Sequence, residues 1–508
     1  MSNTATAQAT RDHLAAHASL ASNLLGSTGL TVSQAGFGCY RIEPQVPEHG
    51  QALRQALLSG VNLIDTSSNY GDGGSETLVG RVLAELRQED ALSREQVVVV
   101  TKAGYLQGAN YAESQERKKQ GKPWPELVEY APNLEHCIHP EFLAGQLTAS
   151  LERLNLAALD VYLLHNPEYY LGWAAKQGMA LERAREEYYR RIEAAFRYLE
   201  GEAQAGRIAF YGVSSNTFPA PDNYEEFSSL DKLWQIAQRI STEHHFRVIE
   251  LPFNLLEPGA ASEPNQPGHR SLLAYARERE IGVLINRPLN AIGPNGLFRL
   301  AMSGAGAPAP DPERIIELLN ELLKSEDVLK LNLLPNLSLS PDEQHQLSEY
   351  LSVAGGLLRS WQGLSGLEHW RQMEQYLTAR LNAAFAYLAR RLSDSPEGLS
   401  ALDAHLSKAK SALEAVLNFY AVEADQFAGK LYEMVRRLDP DWREAASLSR
   451  LAVRALRSTE GVSCVLVGMR RREYVADVLA ELAVGVTVKP REETWLSWAG
   501  QDPVAPEA

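Results

Sequence analysis

A chain of 508 residues is too long for one average domain, so it must form a large barrel, several domains, or a barrel carrying an insertion. Its 45% hydrophobic and 22% charged content matches folded soluble proteins and excludes wholesale disorder or a fibrous chain. A formal net charge of -15 argues against a nucleic-acid partner, and three widely spaced cysteines suit free thiols in a reducing, cytoplasmic setting better than a disulfide framework.

Residues 1–24 mix small, polar and charged side chains without a continuous apolar core, so they read as an N-terminal helical arm and not as a signal peptide. No later stretch is apolar over the roughly 18 residues a membrane span needs, so no membrane partner is expected. Leu25–Ser33 alternates turn formers with apolar residues, as a short hairpin does, and would suit a plug in a barrel floor. Beyond it, short apolar runs predict strands over Ala35–Gly38, Asn62–Asp65, Val97–Lys102, Asp160–His165, Ile208–Val213, Val248–Leu251, Gly282–Asn286 and Ser463–Val467. Helical spacing falls between them, over Gln51–Ser59, Glu76–Leu86, Pro140–Leu154, Leu181–Ala205, Leu230–Ile240, Ser271–Glu280, Arg443–Ser458 and Arg472–Leu482. Strand then helix, repeated, predicts an α/β chain folded as a (β/α)8 TIM barrel. A doubly wound open sheet is the rival, but it announces its nucleotide with a Gly-rich first turn, and no G-x-G-x-x-G follows the first strand.

The repeat breaks between Leu289 and Asp441, where no strand is expected. The first part of the barrel is therefore placed at 25–296, an all-helical insertion between strand seven and helix seven at 297–440, the barrel's completion at 441–490 and a C-terminal tail at 491–508. A flexible Ser303–Pro312 segment opens the insertion, and helices follow over Glu313–Lys324, Leu364–Leu392 and Leu399–Leu438, with a polar turn after the first. Such helices suit packing on a barrel rim, a lid, or contact between copies in a homo-oligomer.

Reactive groups in such barrels sit at the carboxyl ends of strands. There the chain offers Asp65 and Tyr70 after strand two, Lys102 after strand three and His165 after strand four. Reducing a carbonyl by hydride transfer makes an alkoxide, which needs a proton donor and a polarising contact. Tyr70 fits the donor, with Lys102 lowering its pKa, Asp65 holding Lys102 charged and His165 hydrogen-bonding the substrate oxygen. Taken singly, each of these residues would be an ordinary ion pair or loop aromatic.

Val61-Asn-Leu-Ile-Asp65-Thr-Ser-Ser-Asn-Tyr70-Gly71, with Gly74-Ser-Glu76 and Gly80, resembles the signature of the aldo-keto reductase family. Thr101-Lys102, Leu163-Leu-His165-Asn-Pro167, Gly212-Val-Ser-Ser215, Phe253-Asn-Leu-Leu256, Arg287-Pro-Leu289 and Val467-Gly-Met-Arg470 follow in the family's order, from roughly Leu25 to Val486 with the insertion left out. The resemblance implies an oxidoreductase acting on an aldehyde, ketone or sugar hemiacetal, with Tyr70, Asp65, Lys102 and His165 as its catalytic residues. It also implies a nicotinamide dinucleotide held without a Rossmann fold, with Ser214 and Ser215 on the carboxamide. Glu250, Arg287, Pro288 and Leu289, then Gly468, Met469, Arg470, Arg471 and Tyr474, are the further cofactor contacts it implies. Two positions depart from the family: Glu250 stands where glutamine is usual, and Asn286 where a stacking aromatic is usual. Arg287 is expected to compensate by stacking or by gripping the pyrophosphate. The arginines after strand eight point to a 2′-phosphate and so to NADP(H), with NAD(H) as the alternative.

No metal is expected, because His136-Cys-Ile-His139 lacks matching ligands and hydride transfer needs none. The long loops 103–139 and 166–180, rich in Tyr, Trp and polar groups, are expected to shape the substrate pocket and suit a polyol or sugar. The alternative function is a regulatory barrel that keeps its nucleotide groove and binds a protein partner through the insertion, as ion-channel-associated members of the family do.

Overall fold

The computed structural model describes residues 3–293, 296–304 and 308–501. Residues 305–307 of the expected flexible segment and 502–508 of the expected tail lie outside the described residues. Chain contacts divide the protein into two compact units, one running to Leu289 with Val435–Ala446 and the chain from Arg450 on, the other Asn290–Met434 with Ser447–Ser449.

In the first unit eight parallel strands close in chain order: β1 Ala35–Gly38, β2 Leu63–Asp65, β3 Val98–Ala103, β4 Leu159–His165, β5 Ile208–Ser214, β6 Phe246–Pro252, β7 Gly282–Asn286 and β8 Cys464–Val467. β3 and β4 are buried along their whole length, which is why they read as unbroken apolar runs with no alternation. The helices are α1 Pro47–Leu58, α2 Gly74–Gln88, α3 Pro140–Leu154, α4 Leu181–Gln204, α5 Leu230–Ile240, α6 Leu272–Glu278, α7 Leu448–Arg457 and α8 Arg472–Leu482. Their starts follow local chemistry. Ser229 Oγ caps Lys232 N at 3.3 Å, Ser271 Oγ caps Ala274 N at 3.2 Å, and Pro140 opens α3 behind a His139 cap. Gly80 is required because a Cβ there would sit 2.6 Å from the carbonyl oxygens of Arg153 and Leu154 on α3.

The N-terminal arm folds as a helix, Ala7–Ala16, and then an antiparallel pair, Ser22–Leu24 with Thr31–Ser33. The hairpin thus starts before the expected Leu25, and Gly26–Thr28 form its turn. Leu25, Leu30 and Val32 pack with the inward-facing Val98, Val161 and Leu284, closing the barrel's floor. Leu25→Ala is expected to cost about 2–5 kcal/mol in denaturant unfolding, because the plug leaves little room for collapse. A cost near zero would mean the plug is loosely seated.

Two expected loops carry structure of their own. Residues 103–139 contain the helix Gly108–Lys119 and a small sheet of Tyr105–Leu106, Leu134–His136 and Val128–Ala131, and residues 166–180 contain the helix Tyr169–Lys176. The expected tail carries the helix Glu492–Ala499, whose Trp495 and Trp498 are buried in the barrel unit. Arg491 anchors it, donating to Asp439 at 3.1 Å and Asp441 at 2.7 Å.

The second unit begins with a hairpin, Asn290–Gly293 paired with Gly296–Arg299, which the sequence reading does not anticipate because each arm is only four residues long. Helices Pro312–Val328, Pro341–Leu351, Ala354–Ser360, Leu367–Arg391 and Pro396–Val435 follow. They surround their own core, in which Trp361, Trp370, Leu388 and Val416 are buried. Pro341–Leu351 and Ala354–Ser360 fall where only a polar turn was expected, and Glu326 ties the second of them down by accepting from Val353 N at 2.9 Å and Ala354 N at 2.8 Å. Among the described residues no helix is long and apolar enough to cross a membrane.

Candidate active site

Parallel register sets the ends of the strands side by side: Asp65 pairs with Val100, Ser214 with both His165 and Glu250, and Pro252 with Asn286. The expected tetrad therefore meets at one end of the barrel. Lys102 Nζ is fully buried, forms an ion pair with Asp65, donates to Thr66 O at 3.1 Å and lies 5.3 Å from the Tyr70 ring centroid. The Tyr70 and His165 rings stand edge to face at 6.0 Å.

Glu250 joins this group. Its Oε2 lies 3.0 Å from Lys102 Nζ, while its Oε1 accepts from Ser214 Oγ at 3.1 Å and Asn286 Nδ2 at 2.9 Å. One buried ammonium thus faces two carboxylates. Burial, then Glu250, pushes the Asp65 carboxyl well above its usual range against the pull of Lys102. Burial alone would lower Lys102, but Asp65, Glu250 and Tyr70 outweigh it and hold the ammonium charged.

The Tyr70 phenol departs from expectation. Lys102 does pull it down, but the crowding of protein around it, with Asp65 and Glu250, raises it above the ordinary phenol value. In this state Tyr70 is protonated. His165 is driven well below the usual imidazole range by burial, Lys102 and His136, so its ring is neutral. Ser67 Oγ, which donates to Asn69 Oδ1 at 2.7 Å, lies 3.1 Å from His165 Nδ1 and fixes the plane of that ring.

The remaining expected residues are more dispersed. Ser215 Oγ lies 3.2 Å from Thr217 Oγ1. Arg287, in the left-handed region at φ 52, donates to Glu257 Oε1 at 2.8 Å, so its guanidinium is engaged by a carboxylate. Pro288 is buried and Leu289 half-buried in the turn that follows. Beyond β8, Gly468 has open space where a Cβ would be, Met469 is buried and Arg470 half-buried. Arg471 lies 5.8 Å over the Tyr474 ring and 4.0 Å from Glu48, and Arg472 donates to Gln55 at 3.2 Å, so these two lean on α1.

Further residues line the site, with Tyr105 and Tyr169 coming from the two tyrosine-rich loops expected to shape a pocket. Tyr105 stands edge-on to His165 at 4.7 Å and to Tyr169 at 5.2 Å, and Tyr40 edge-on to Tyr70 at 5.1 Å, so an aromatic wall runs away from the tyrosine. Buried His136 meets the His165 carbonyl oxygen through Nε2 at 2.7 Å and holds that strand end in place. Glu168, raised to about 7 by burial, accepts from Asn216 N at 2.7 Å and ties the loop after β5 to that after β4. Such contacts join loops distant in the chain, which spacing cannot reveal.

The model of the aldo/keto reductase family matches residues 36–291. Over 149 residues the chain is 31% identical to the NADH-specific methylglyoxal reductase of Escherichia coli (strain K12), covering 28% of this chain and 40% of the relative. Over 124 residues it is 32% identical to the L-galactose dehydrogenase of Arabidopsis thaliana, covering 23% of this chain and 38% of the relative. The chain thus spans about two fifths of the length of these curated relatives. Among solved structures it is similar to the glycerol dehydrogenase of Gluconobacter oxydans, at 17% identity and a TM-score of 0.46, covering 97% of this chain and 99% of that one.

Proposed function

Because the chain belongs to the aldo/keto reductase family, we propose that it is an NAD(P)H-dependent oxidoreductase that interconverts a carbonyl and an alcohol, with Tyr70 as general acid in reduction and general base in oxidation. The observation that carries this reading is the buried Asp65–Lys102 pair beneath the Tyr70 ring, with the neutral His165 beside it. Tyr70 gives its proton to the carbonyl oxygen as the alkoxide forms, His165 holds that oxygen by a hydrogen bond, and Asp65 keeps Lys102 in place.

The residues around Ser214 fit a nicotinamide carboxamide. Asn286 Oδ1 is buried and accepts no hydrogen bond among the described residues, while Ser214 supplies a hydroxyl and Glu250 an acceptor. Bound there, a reduced nicotinamide dinucleotide supplies the hydride. Arg470 and Arg471 favour NADP(H) over NAD(H), since a 2′-phosphate needs cations near the start of α8. The wall of Tyr40, Tyr105 and Tyr169 suits an aldehyde, ketone or sugar hemiacetal that can lie against aromatic edges.

Fluorescence titration with NADPH and with NADH, followed by a panel of aldehydes, ketones and aldoses, tests the reading. Tight binding with carbonyl-dependent oxidation is expected; binding without turnover would favour a regulatory barrel that acts through a partner, and no binding would defeat the cofactor assignment. Arg470→Ala is expected to weaken NADPH by about tenfold and NADH by less than about twofold, as loss of one charge-assisted contact implies. Equal weakening of both would remove the 2′-phosphate from the account.

A further inference from the structure

Glu250 stands at the centre of a contact that spacing alone does not suggest. It lies near the carboxyl end of β6, and Lys102 belongs to β3, so the two meet across the barrel and not along a shared strand edge. Both are buried, as is Asp65. A single ammonium is thus shared by two carboxyl groups beneath the Tyr70 ring. Glu250 is held in this pose by Ser214 and Asn286 through its other oxygen.

We propose that Glu250 is a second counter-ion of Lys102 and that its charge holds Tyr70 in the protonated form, biasing the site toward carbonyl reduction over alcohol oxidation. This rests on the reading of Tyr70 as the proton donor. In reduction the hydride of a reduced nicotinamide forms the new C–H bond, the carbonyl π pair takes the Tyr70 proton as the phenolic O–H bond breaks, and the dinucleotide is oxidised. Oxidation begins from the phenolate, which a nearby negative charge disfavours. Glu250 acts through Lys102 and on Tyr70, so it is a positioning residue.

The other titratable neighbours of the cluster do not offset it. His165 on β4 is kept neutral by burial and Lys102. Cys39 after β1 and Cys464 on β8 are kept as thiols, by burial first and then by Asp65. Tyr40, edge-on to Tyr70, adds a phenol. The ionisable groups facing Tyr70 are therefore Lys102, Glu250 and Asp65, the last itself pushed toward the neutral acid by burial and then by Glu250.

The test uses the full chain with Glu250→Gln, which keeps the shape and removes the charge, and Glu250→Met as a second neutral variant should the amide disturb folding. Glu250→Asp keeps the charge as a control. Ultraviolet titration of tyrosinate, read as the difference from the same protein carrying Tyr70→Phe, follows Tyr70 directly. Rates with NADPH and p-nitrobenzaldehyde, and with NADP+ and p-nitrobenzyl alcohol, are measured across pH.

Removing the charge is expected to bring Tyr70 ionisation down by about one pH unit or more, to move the alkaline limb of reduction with it, and to raise oxidation near neutral pH by about tenfold. Glu250→Asp, which keeps the charge, should move the Tyr70 titration less than either neutral variant does. A Tyr70 titration that neither neutral variant moves would overturn the proposal, as would a change confined to affinity for the oxidised dinucleotide. Turnover that survives Tyr70→Phe would instead defeat the proton-donor reading, and it is seen before any Glu250 variant is compared.

Discussion

Tyr70→Phe is expected to lower the rate of carbonyl reduction by about a hundred- to ten-thousand-fold while leaving dinucleotide Kd nearly unchanged. The variant keeps the ring, its edge contacts with Tyr40 and His165 and its place above Lys102, and it removes only the phenolic O–H, the proton donor of the proposed reaction. Stopped-flow rates in both directions, with Kd measured separately, check it. A large change in Kd with an unchanged chemical step would reassign Tyr70 to binding.

Lys102→Met is expected to abolish turnover and to destabilise the protein by about 3–5 kcal/mol, because it leaves Asp65 and Glu250 buried together without their counter-ion. The loss should depend on pH with a definite sign. Asp65 already has its folded-state pKa raised above the unfolded value, by burial and then by Glu250, with Lys102 opposing. Without Lys102 that value rises further. A raised acid contributes stability that is fully present below its unfolded pKa and is lost as pH climbs through the folded one. The gap between Lys102→Met and the parent protein should therefore be smaller near about pH 5 than near about pH 8 in denaturant unfolding. A gap that widens on acidification would contradict the charge arrangement described for the site.

The barrel was legible because parallel strands buried on both faces read as short apolar runs, and β1 through β8 fall where those runs predict them. Amphipathic spacing placed α3, α5 and α8 with the same ends the structure has. The arm Ser22–Leu24 was hidden because three residues, two of them polar, give no alternation to read. The helix Pro341–Leu351 did carry a signal, the Ser340 and Glu343 capping box, but the polar stretch around it masks its apolar spacing.

At the site, strand-end positions were enough to bring Asp65, Tyr70, Lys102 and His165 together, since adjacent parallel strands end side by side. The direction of the Tyr70 shift was not legible. It depends on a sum over burial, one ammonium and two carboxylates, and Glu250 reaches Lys102 only once the barrel has closed. The tyrosine-rich loops were legible, but which of their rings reach the site was not, because the loops fold into a small sheet and a helix that set Tyr105 against His165 and Tyr169 against Tyr105.

The proposed function turns on passage of a proton from Tyr70 to a carbonyl oxygen during nicotinamide-dependent reduction. It is tested most directly by single-turnover mixing of the NADPH-loaded protein with a reactive aldehyde, following the near-ultraviolet absorbance of the reduced nicotinamide in the parent protein and in Tyr70→Phe. The account predicts a carbonyl-dependent loss of that absorbance in the parent that is slowed at least a hundredfold in the variant, as loss of a general acid implies by about that factor. Equal rates in the two proteins would contradict it.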